Sequence, residues 1–494
     1  MTVPSPAKLC VTVTAATTAE LVRRRDAVPE ADLIELRLDG VGDLDVDAVL
    51  AGRTRPVLVT CRPTWEGGAY DGDERQREAV LTRALAAGAD YVDVEWRAGF
   101  DALLARGGRR IVLSSHDFSG VPGDLLAQAR AMAATGAGVV KIAITTRRLS
   151  DCLPLLSVRR ELPPDVQTVL IGMGDTGIAT RVLAARFGSV WTYAGALRGV
   201  GQVSAERLTS VFRYRAVTAA TAVYGLLGNP VHHSVSPEMH NAAFGATGVD
   251  AVYLPLPAVD VADFQSFAEA IGLQGASVTI PFKRDCLAFV EAPEPSVARI
   301  GAINTLKRSP SGGWLGRNTD GEGFLAPLRR RGMTLEGCRA ALLGAGGSAR
   351  AVAVALRDEG ALVTVHARDR AKAEAVAVET GSATGPWPPA DGAWDLLVNC
   401  TPVGMFPAVD AVPVPLAIPA TGVVYDLIYN PPVTRLLEQA AHAGAQAVGG
   451  LEMLVAQASA QFGWWTGHVA PDAMMAEAAR ARLSEFNAND THLL

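Results

Sequence analysis

A lysine, Lys141, stands in the middle of the apolar run "GVVKIAIT" (138–145), with β-branched residues and alanine on both sides. Lysine is seldom buried without a partner or a task. In the same part of the chain "IELRLD" carries Glu35 and Arg37, "VTCRPTWEGG" carries Arg62, "YVDVEW" carries Glu95 and "LSSHDF" carries His116. An amine in a mostly apolar setting, with arginines nearby, has its ammonium form disfavoured, so part of it is free to attack a ketone and form a Schiff base. Once protonated, the imine draws electrons from the adjacent carbon, and a histidine such as His116 can remove the proton there. Glu95 can orient that imidazole, and Arg62, Arg37 or Arg181 can hold a carboxylate by a bidentate pair. An isolated strand lysine is usually a solvated or aggregation-blocking position, and an isolated histidine a hydrogen-bonded wall residue. Six ionisable residues on five successive apolar strings would each need a separate reason for burial, whereas one shared active site accounts for all of them.

A second group lies further on. The turn "GAGGSA" fits GxGxxG/A with Gly344, Gly346 and Ala349, and it has a strand before it and a helix after it, the setting in which backbone N–H groups meet a pyrophosphate. At the end of the next strand, where an NAD site carries an acidic residue, the chain reads "VHARDRAK". Arg368, with Arg370 and Lys372 behind it, suits a 2′-phosphate and so predicts NADP, against the rival reading of a solvated basic turn; Asp369 beside Arg368 weighs the other way. Upstream, "GNPVHHSVSPEMHN" offers Ser234 and Ser236, "GASVTIPFK" places Lys283 just past a strand, "IGAINT" brings Asn304 and "GRNTDGEG" brings Asp320. A lysine near an aspartate is most often a surface ion pair of small consequence. Beside a nicotinamide such a pair can move the proton that accompanies hydride transfer.

These residues need elements to position them. Between residues 8 and 195 eight β-rich strings alternate with Ala- and Leu-rich stretches of helical spacing, which predicts a (β/α)₈ barrel. The stretch 208–222 is expected to be the last barrel helix running into a linker. Beyond it the pattern predicts a small α/β substrate domain and then a Rossmann-like unit beginning at 338–369. The expected division is 7–213 for the barrel, 222–335 for the substrate-binding domain, 336–450 for the NADP-binding domain and 451–486 for C-terminal helices returning to the substrate domain. Lys plus Arg number 45 against 51 Asp plus Glu, a net charge of −6, which offers no general attraction for nucleic acid or an anionic membrane. Six scattered cysteines, with no zinc-like spacing, are expected to be reduced thiols, and no metal is expected. The start "MTVPSPAKLCVTVTA" has no leader pattern, and no uncharged apolar run reaches the roughly 18 residues a membrane helix needs, so a cytoplasmic setting is expected.

The ordered strings "IELRLD", "VTCRPTWEGG", "YVDVEW", "SSHDF" and "KIA" resemble type I 3-dehydroquinate dehydratase over residues 8–212. The resemblance implies an imine at Lys141, His116 as proton acceptor and then donor, and Glu95 as its partner. It also implies substrate contacts from Glu35, Arg37, Arg62 and Arg181, with Gln202 in a closing loop. That loop reads "RGVGQ", with Arg198 where the family commonly has serine. Residues 223–486 resemble shikimate dehydrogenase, with "NCTPVGM", "YDLIYNPPVT" and "GGLEMLVAQA" completing the set. This likeness implies that Ser234, Ser236, Thr279, Asn304, Tyr429 and Gln457 surround shikimate and that Lys283 and Asp320 are catalytic. It further implies that Gly344, Ala345, Gly346, Gly347, Ser348, Ala349, Arg368, Thr401 and Gly450 meet NADP. Ser277 stands where Asn is frequent, and "ARD" where many members read Asn-Arg-Thr. Because the ketone made by the first activity is the substrate of the second, a bifunctional enzyme is expected, converting 3-dehydroquinate to 3-dehydroshikimate and reducing that with NADPH to shikimate. A quinate-directed second half and a non-catalytic metabolite sensor are the alternatives. Monomer and homodimer are both open.

Overall fold

The structure, a computed structural model, describes residues 6–195, 201–291, 293–415 and 417–490; Arg198 lies outside them. The chain forms two compact units, Met1–Val223 with Asp250–Gly272, and Tyr224–Val249 with Leu273–Leu494.

In the first unit eight strands run β1 (Lys8–Thr14), β2 (Leu33–Arg37), β3 (Val57–Thr60), β4 (Tyr91–Glu95), β5 (Ile111–Asp117), β6 (Val139–Thr145), β7 (Gln167–Met173) and β8 (Trp191–Ala194). Their order is β7-β6-β5-β4-β3-β2-β1-β8 and the paired neighbours are parallel. Val190 N donates to Thr168 O at 2.9 Å beside a Thr168–Ser189 bridge, which brings the two ends of the sheet together and nearly closes the barrel. Thr17, Asp45 and Asp73 cap helices between the early strands, their side chains accepting backbone N–H groups of the first turn. After β8 the expected last helix is instead a π-helical turn, Arg207–Val211, and a 3₁₀ turn, Tyr214–Ala216; Arg213, at φ 52, interrupts the continuous helix between them.

Successive side chains of a strand point to opposite faces, so residues two apart share the barrel interior. One interior layer is apolar: Cys10, Leu33, Leu58, Val112, Val139, Val169 and Trp191 are packed in a single buried cluster. Two residues further along the same strands come Thr12, Glu35, Thr60, Ser114, Lys141 and Tyr193, with Asp93 on β4. The period-two alternation therefore stacks a buried polar layer on an apolar floor. Lys141 is opposite Ser114 in the β5–β6 register, and Glu95 is opposite Ser114 in that of β4–β5.

In the second unit the strands Leu273–Val278, Thr305–Arg308 and Trp314–Arg317 pair antiparallel in succession. A separate six-stranded parallel sheet has the order Ala383–Thr384, Leu362–His366, Arg339–Leu343, Leu396–Asn399, Val423–Asp426, Gln446–Gly449. Both of its faces are covered, as a parallel sheet requires: Ala340 and Leu342 pack with Phe324, Val352 and Leu356, while Ala341 and Leu343 pack with Trp394, Val424 and Leu437. The helix Gly347–Asp358 follows the central strand through "GAGG", the Rossmann arrangement.

Candidate active sites

The barrel mouth holds a cavity that Glu35, Arg37, Arg62, His116, Lys141, Arg181 and Gln202 all line. Lys141 Nζ lies 3.1 Å from Asp93 Oδ2 and 3.9 Å from Glu35 Oε1, with the Tyr193 ring centroid at 4.4 Å. Its nearest charged neighbours are thus carboxylates, and not the arginines expected to disfavour its ammonium form. Thr12 and Thr60 hydroxyls donate to Glu35, at 2.7 and 2.9 Å, and fix that carboxylate below the lysine.

His116 turns towards Glu66, a residue the motif reading passed over. Glu66 Oε1 accepts from the His116 backbone N–H at 2.7 Å and sits 3.1 Å from Nδ1. The turn that presents it explains the string "EGG". Gly67 has φ 77, and a Cβ there would lie 2.4 Å from the Phe118 ring; a Cβ on Gly68 would lie 2.0 Å from the Arg62 carbonyl oxygen. Burial raises the Glu66 carboxyl to about 7, with Arg62 opposing and Glu95 adding to the rise. Burial, then Arg62 and Lys141, hold His116 well below the usual imidazole value, so it is neutral at pH 7. A neutral ring whose Nδ1 faces a carboxylate presents Nε2 as the free base.

Glu95, expected to partner His116, makes no contact with it. Its carboxylate is taken by Arg62 Nη1 at 2.7 Å and by Arg77. Arg62 also reaches Asp93 at 2.9 Å and the Ser114 hydroxyl at 2.8 Å, so its guanidinium is already committed to two carboxylates. Burial raises the Asp93 carboxyl, but Arg62 and then Lys141 outweigh it and hold the group well below the usual range. Arg37 is clamped by Asp39 through Nε at 2.8 Å and Nη2 at 2.7 Å. Arg181, on the short helix Ile178–Val182, is buried, and desolvation lowers it to about 10; it remains a cation at neutral pH. Asp93 could not be selected from sequence because in "YVDVEW" it alternates with Glu95 and leaves open which acid faces which base, and Glu66 lies in the turn "PTWEGG", whose placement over the mouth no strand pattern records.

In the second unit Lys283 Nζ meets Asp320 Oδ2 at 2.6 Å. Asp320 opens the helix Asp320–Arg330, and Asn304 Nδ2 donates to its other oxygen at 2.7 Å. Asn304 is itself fixed: its Oδ1 accepts from Thr319 N at 2.8 Å, and Gln457 Oε1 stands 3.5 Å from its Nδ2. Ser234 Oγ donates to Ser236 Oγ at 3.1 Å, and this pair makes no direct contact with Lys283 or Asp320 among the described residues. Thr279 and Tyr429, both half-buried, have no side-chain hydrogen bond among the described residues, and burial raises the Tyr429 hydroxyl.

The groups of the Gly-rich turn fit a dinucleotide. Gly344 has φ 111, and a Cβ there would lie 3.1 Å from Thr401 Cγ2, whereas a Cβ at Gly346 or Gly347 would meet nothing within 4 Å. The helix N-terminus is open to an approaching phosphate. Thr401 Oγ1 donates to Asn399 at 2.7 Å, and Gly450 opens the helix Gly450–Thr466. Asp369 turns to its own helix, accepting from Lys372 N at 3.2 Å and pairing with Lys372 Nζ at 3.3 Å, while Arg370 pairs with Glu374. Arg368 is exposed and makes no ion pair among the described residues, so its guanidinium is open to an anionic group. No cluster of His, Cys, Asp and Glu among the described residues is arranged to hold a metal, and no helix among them is long and apolar enough to cross a membrane.

Residues 9–219 match the family model for type I 3-dehydroquinase, residues 226–306 that for the shikimate dehydrogenase substrate binding domain, and residues 450–480 that for the shikimate 5′-dehydrogenase C-terminal domain. The chain is similar to a shikimate dehydrogenase structure in complex with NADP+, at TM-score 0.51 and 34% identity over 54% of this chain and 97% of that one. It is 42% identical to the shikimate dehydrogenase (NADP(+)) of Anaeromyxobacter sp. (strain Fw109-5), over 54% of this chain and 98% of the relative. It is 33% identical to the chloroplastic bifunctional 3-dehydroquinate dehydratase/shikimate dehydrogenase of Arabidopsis thaliana, over 95% of its own length and 83% of the relative's. With both halves matched in one alignment, the chain belongs to the bifunctional 3-dehydroquinate dehydratase/shikimate dehydrogenase family.

Proposed function

We propose that the barrel dehydrates 3-dehydroquinate to 3-dehydroshikimate and that the second unit reduces this product to shikimate with NADPH. The observation that carries the first half is a lysine, a neutral histidine and three arginines facing one cavity. Lys141, its proton released to solvent, attacks the ketone carbon; the carbinolamine takes up a proton, loses water and leaves a protonated imine beside the Asp93 carboxylate. His116 Nε2 takes the proton from the adjacent carbon, with the positive charge that develops on the ring met by Glu66. The resulting enamine expels the ring hydroxyl, which leaves as water with the proton from His116. Hydrolysis of the imine frees Lys141. Arg37 and Arg181 hold the substrate carboxylate, Glu35 and Gln202 contact its hydroxyls, and Arg62 keeps Asp93 ionised.

For the second half the 2.6 Å Lys283–Asp320 pair carries the reading. NADPH, when bound, supplies a hydride to the ketone carbon. Lys283 gives the proton that converts the ketone oxygen to a hydroxyl, and Asp320, oriented by Asn304, takes up the next proton from solvent. Ser234, Ser236, Thr279, Tyr429 and Gln457 bind the substrate, while Gly344 to Ala349, Thr401, Gly450 and Arg368 hold the dinucleotide. We assign these roles to segments 7–213, 222–335, 336–450 and 451–486. The test is borohydride reduction with 3-dehydroquinate: the wild-type chain is expected to gain a stable substrate adduct on Lys141, and Lys141→Ala none. Dehydration by Lys141→Ala at the wild-type rate would refute the imine mechanism.

A further inference from the structure

We propose that Arg77, a residue of the helix Glu74–Ala86 outside the cavity, is a positioning residue for the imine-forming lysine, acting through a buried ladder of alternating charges. The proposal rests on the dehydratase reading of the barrel. Arg77 lines no part of the cavity. Its side chain is 0% exposed, which for an arginine demands a full set of partners. It has them. Nη1 donates to the Cys61 carbonyl at 3.1 Å and pairs with Glu95, Nη2 reaches Glu74 at 2.6 Å, and the Phe100 ring centroid lies 4.8 Å from the guanidinium carbon.

From Arg77 the charges alternate inward. Glu95 passes to Arg62 at 2.7 Å, Arg62 to Asp93 at 2.9 Å, and Asp93 to Lys141 at 3.1 Å. Each of these five side chains is 5% exposed or less, so solvent screens none of the steps. With Glu35 below the lysine, three cations (Arg77, Arg62, Lys141) face three carboxylates (Glu95, Asp93, Glu35). Without Arg77 the balance fails by one: Glu95 loses a partner, and the surplus negative charge falls on Arg62, the group that aligns Asp93 under Lys141. Besides Arg77, Glu95 is faced by Arg62 from the end of β3 and by Asp93 on its own strand, the Cys61 thiol lying nearby; Asp93 is faced by Arg62, Lys141, His116 and the Ser114 hydroxyl. Glu74, the other carboxylate on Arg77, is exposed on the helix surface and, being an anion, supplies no positive charge in place of Arg77.

The ladder predicts opposite effects for its two outer members. Removing a cation by Arg77→Gln leaves surplus negative charge, which favours protonation in the site and moves the acid limb of the dehydration pH profile to higher pH. Removing an anion by Glu95→Gln moves it to lower pH. Each shift is expected to be about one pH unit. Both variants should lose about 10- to 100-fold in kcat with KM changed by less than about threefold, because the reacting groups are displaced and no substrate contact is removed. Dehydration of 3-dehydroquinate is measured across pH on the full chain, with NADPH-dependent reduction of 3-dehydroshikimate by the same preparation reporting its concentration of active chain. Opposite shifts support the ladder. A folded variant of either kind with wild-type kcat and an unmoved limb overturns it, as do two shifts of the same sign. Should Arg77→Gln not fold, Glu95→Gln decides: a downward shift with lowered kcat supports the ladder, and an unmoved limb overturns it. Absence of turnover in the wild-type chain would overturn the dehydratase reading and this proposal with it, whereas wild-type turnover with unmoved variants overturns this proposal alone.

Discussion

Replacing Glu66 by glutamine removes a charge from the barrel mouth while keeping an acceptor for the His116 backbone N–H, so activity and stability should respond in opposite directions. The Glu66 carboxyl stands at about 7 against an ordinary 4.5, raised first by burial. That gap of about 2.5 in pKa corresponds to about 3 kcal/mol. The native state therefore binds the Glu66 proton more tightly than the unfolded chain does. Below the unfolded value of 4.5 both states are protonated and the group's contribution is fully present. As pH rises the unfolded chain ionises first and stability is lost, and the loss is complete once pH passes about 7. Glu66→Gln cannot ionise and escapes this loss. Its stability relative to wild type should climb by about 3 kcal/mol between about pH 4 and about pH 8, read from urea unfolding of both chains at each pH. Catalysis should fall, because a neutral amide cannot meet the charge that develops on the His116 ring: dehydration kcat is expected to drop about 10- to 100-fold, and the acid limb near pH 7 to disappear. Wild-type kcat in Glu66→Gln, or a stability offset that does not change with pH, would refute the assignment of Glu66 as the partner of His116.

Lys283→Met should lower the kcat for NADPH-dependent reduction by about 100-fold while dehydration by the same chain continues unchanged, measured by following the two reactions separately. Arg368→Ser should raise KM for NADPH about 10-fold and leave KM for NADH where it was, since only the 2′-phosphate loses a partner. Gly344→Ala forces a side chain into φ 111 and against Thr401, and should cost about 1–3 kcal/mol of stability together with a weaker NADPH affinity, measured by urea unfolding and by fluorescence titration.

Much of this molecule is legible along the chain. The eight apolar strings become eight strands, and Lys141 stands on the sixth of them. Strand succession in a barrel of parallel neighbours makes Glu95, His116 and Lys141 occupants of adjacent strands without any knowledge of coordinates. "GAGGSA" likewise becomes a strand–turn–helix, because glycine at φ 111 is a property of the local backbone. Hydrophobic periodicity and turn residues report on the few neighbours along the chain, and these determine the elements and their order.

Pairings through space were decided only by the tertiary structure. By sequence His116 is expected to meet Glu95, but the turn after Arg62, folded over the mouth by Gly67 and Gly68, hands it Glu66 and leaves Glu95 to Arg62 and Arg77. Lys141, read as an amine among arginines, is an amine above two carboxylates, because residues two apart on each strand share the barrel interior and the layer above the apolar floor is acidic there. Asp369 beside Arg368 is ambiguous as a string and is resolved by its helix, whose first-turn N–H it caps. Element type follows from local pattern, but the partner of a buried charge depends on which distant side chains converge on it once water has been excluded, and no local pattern records that.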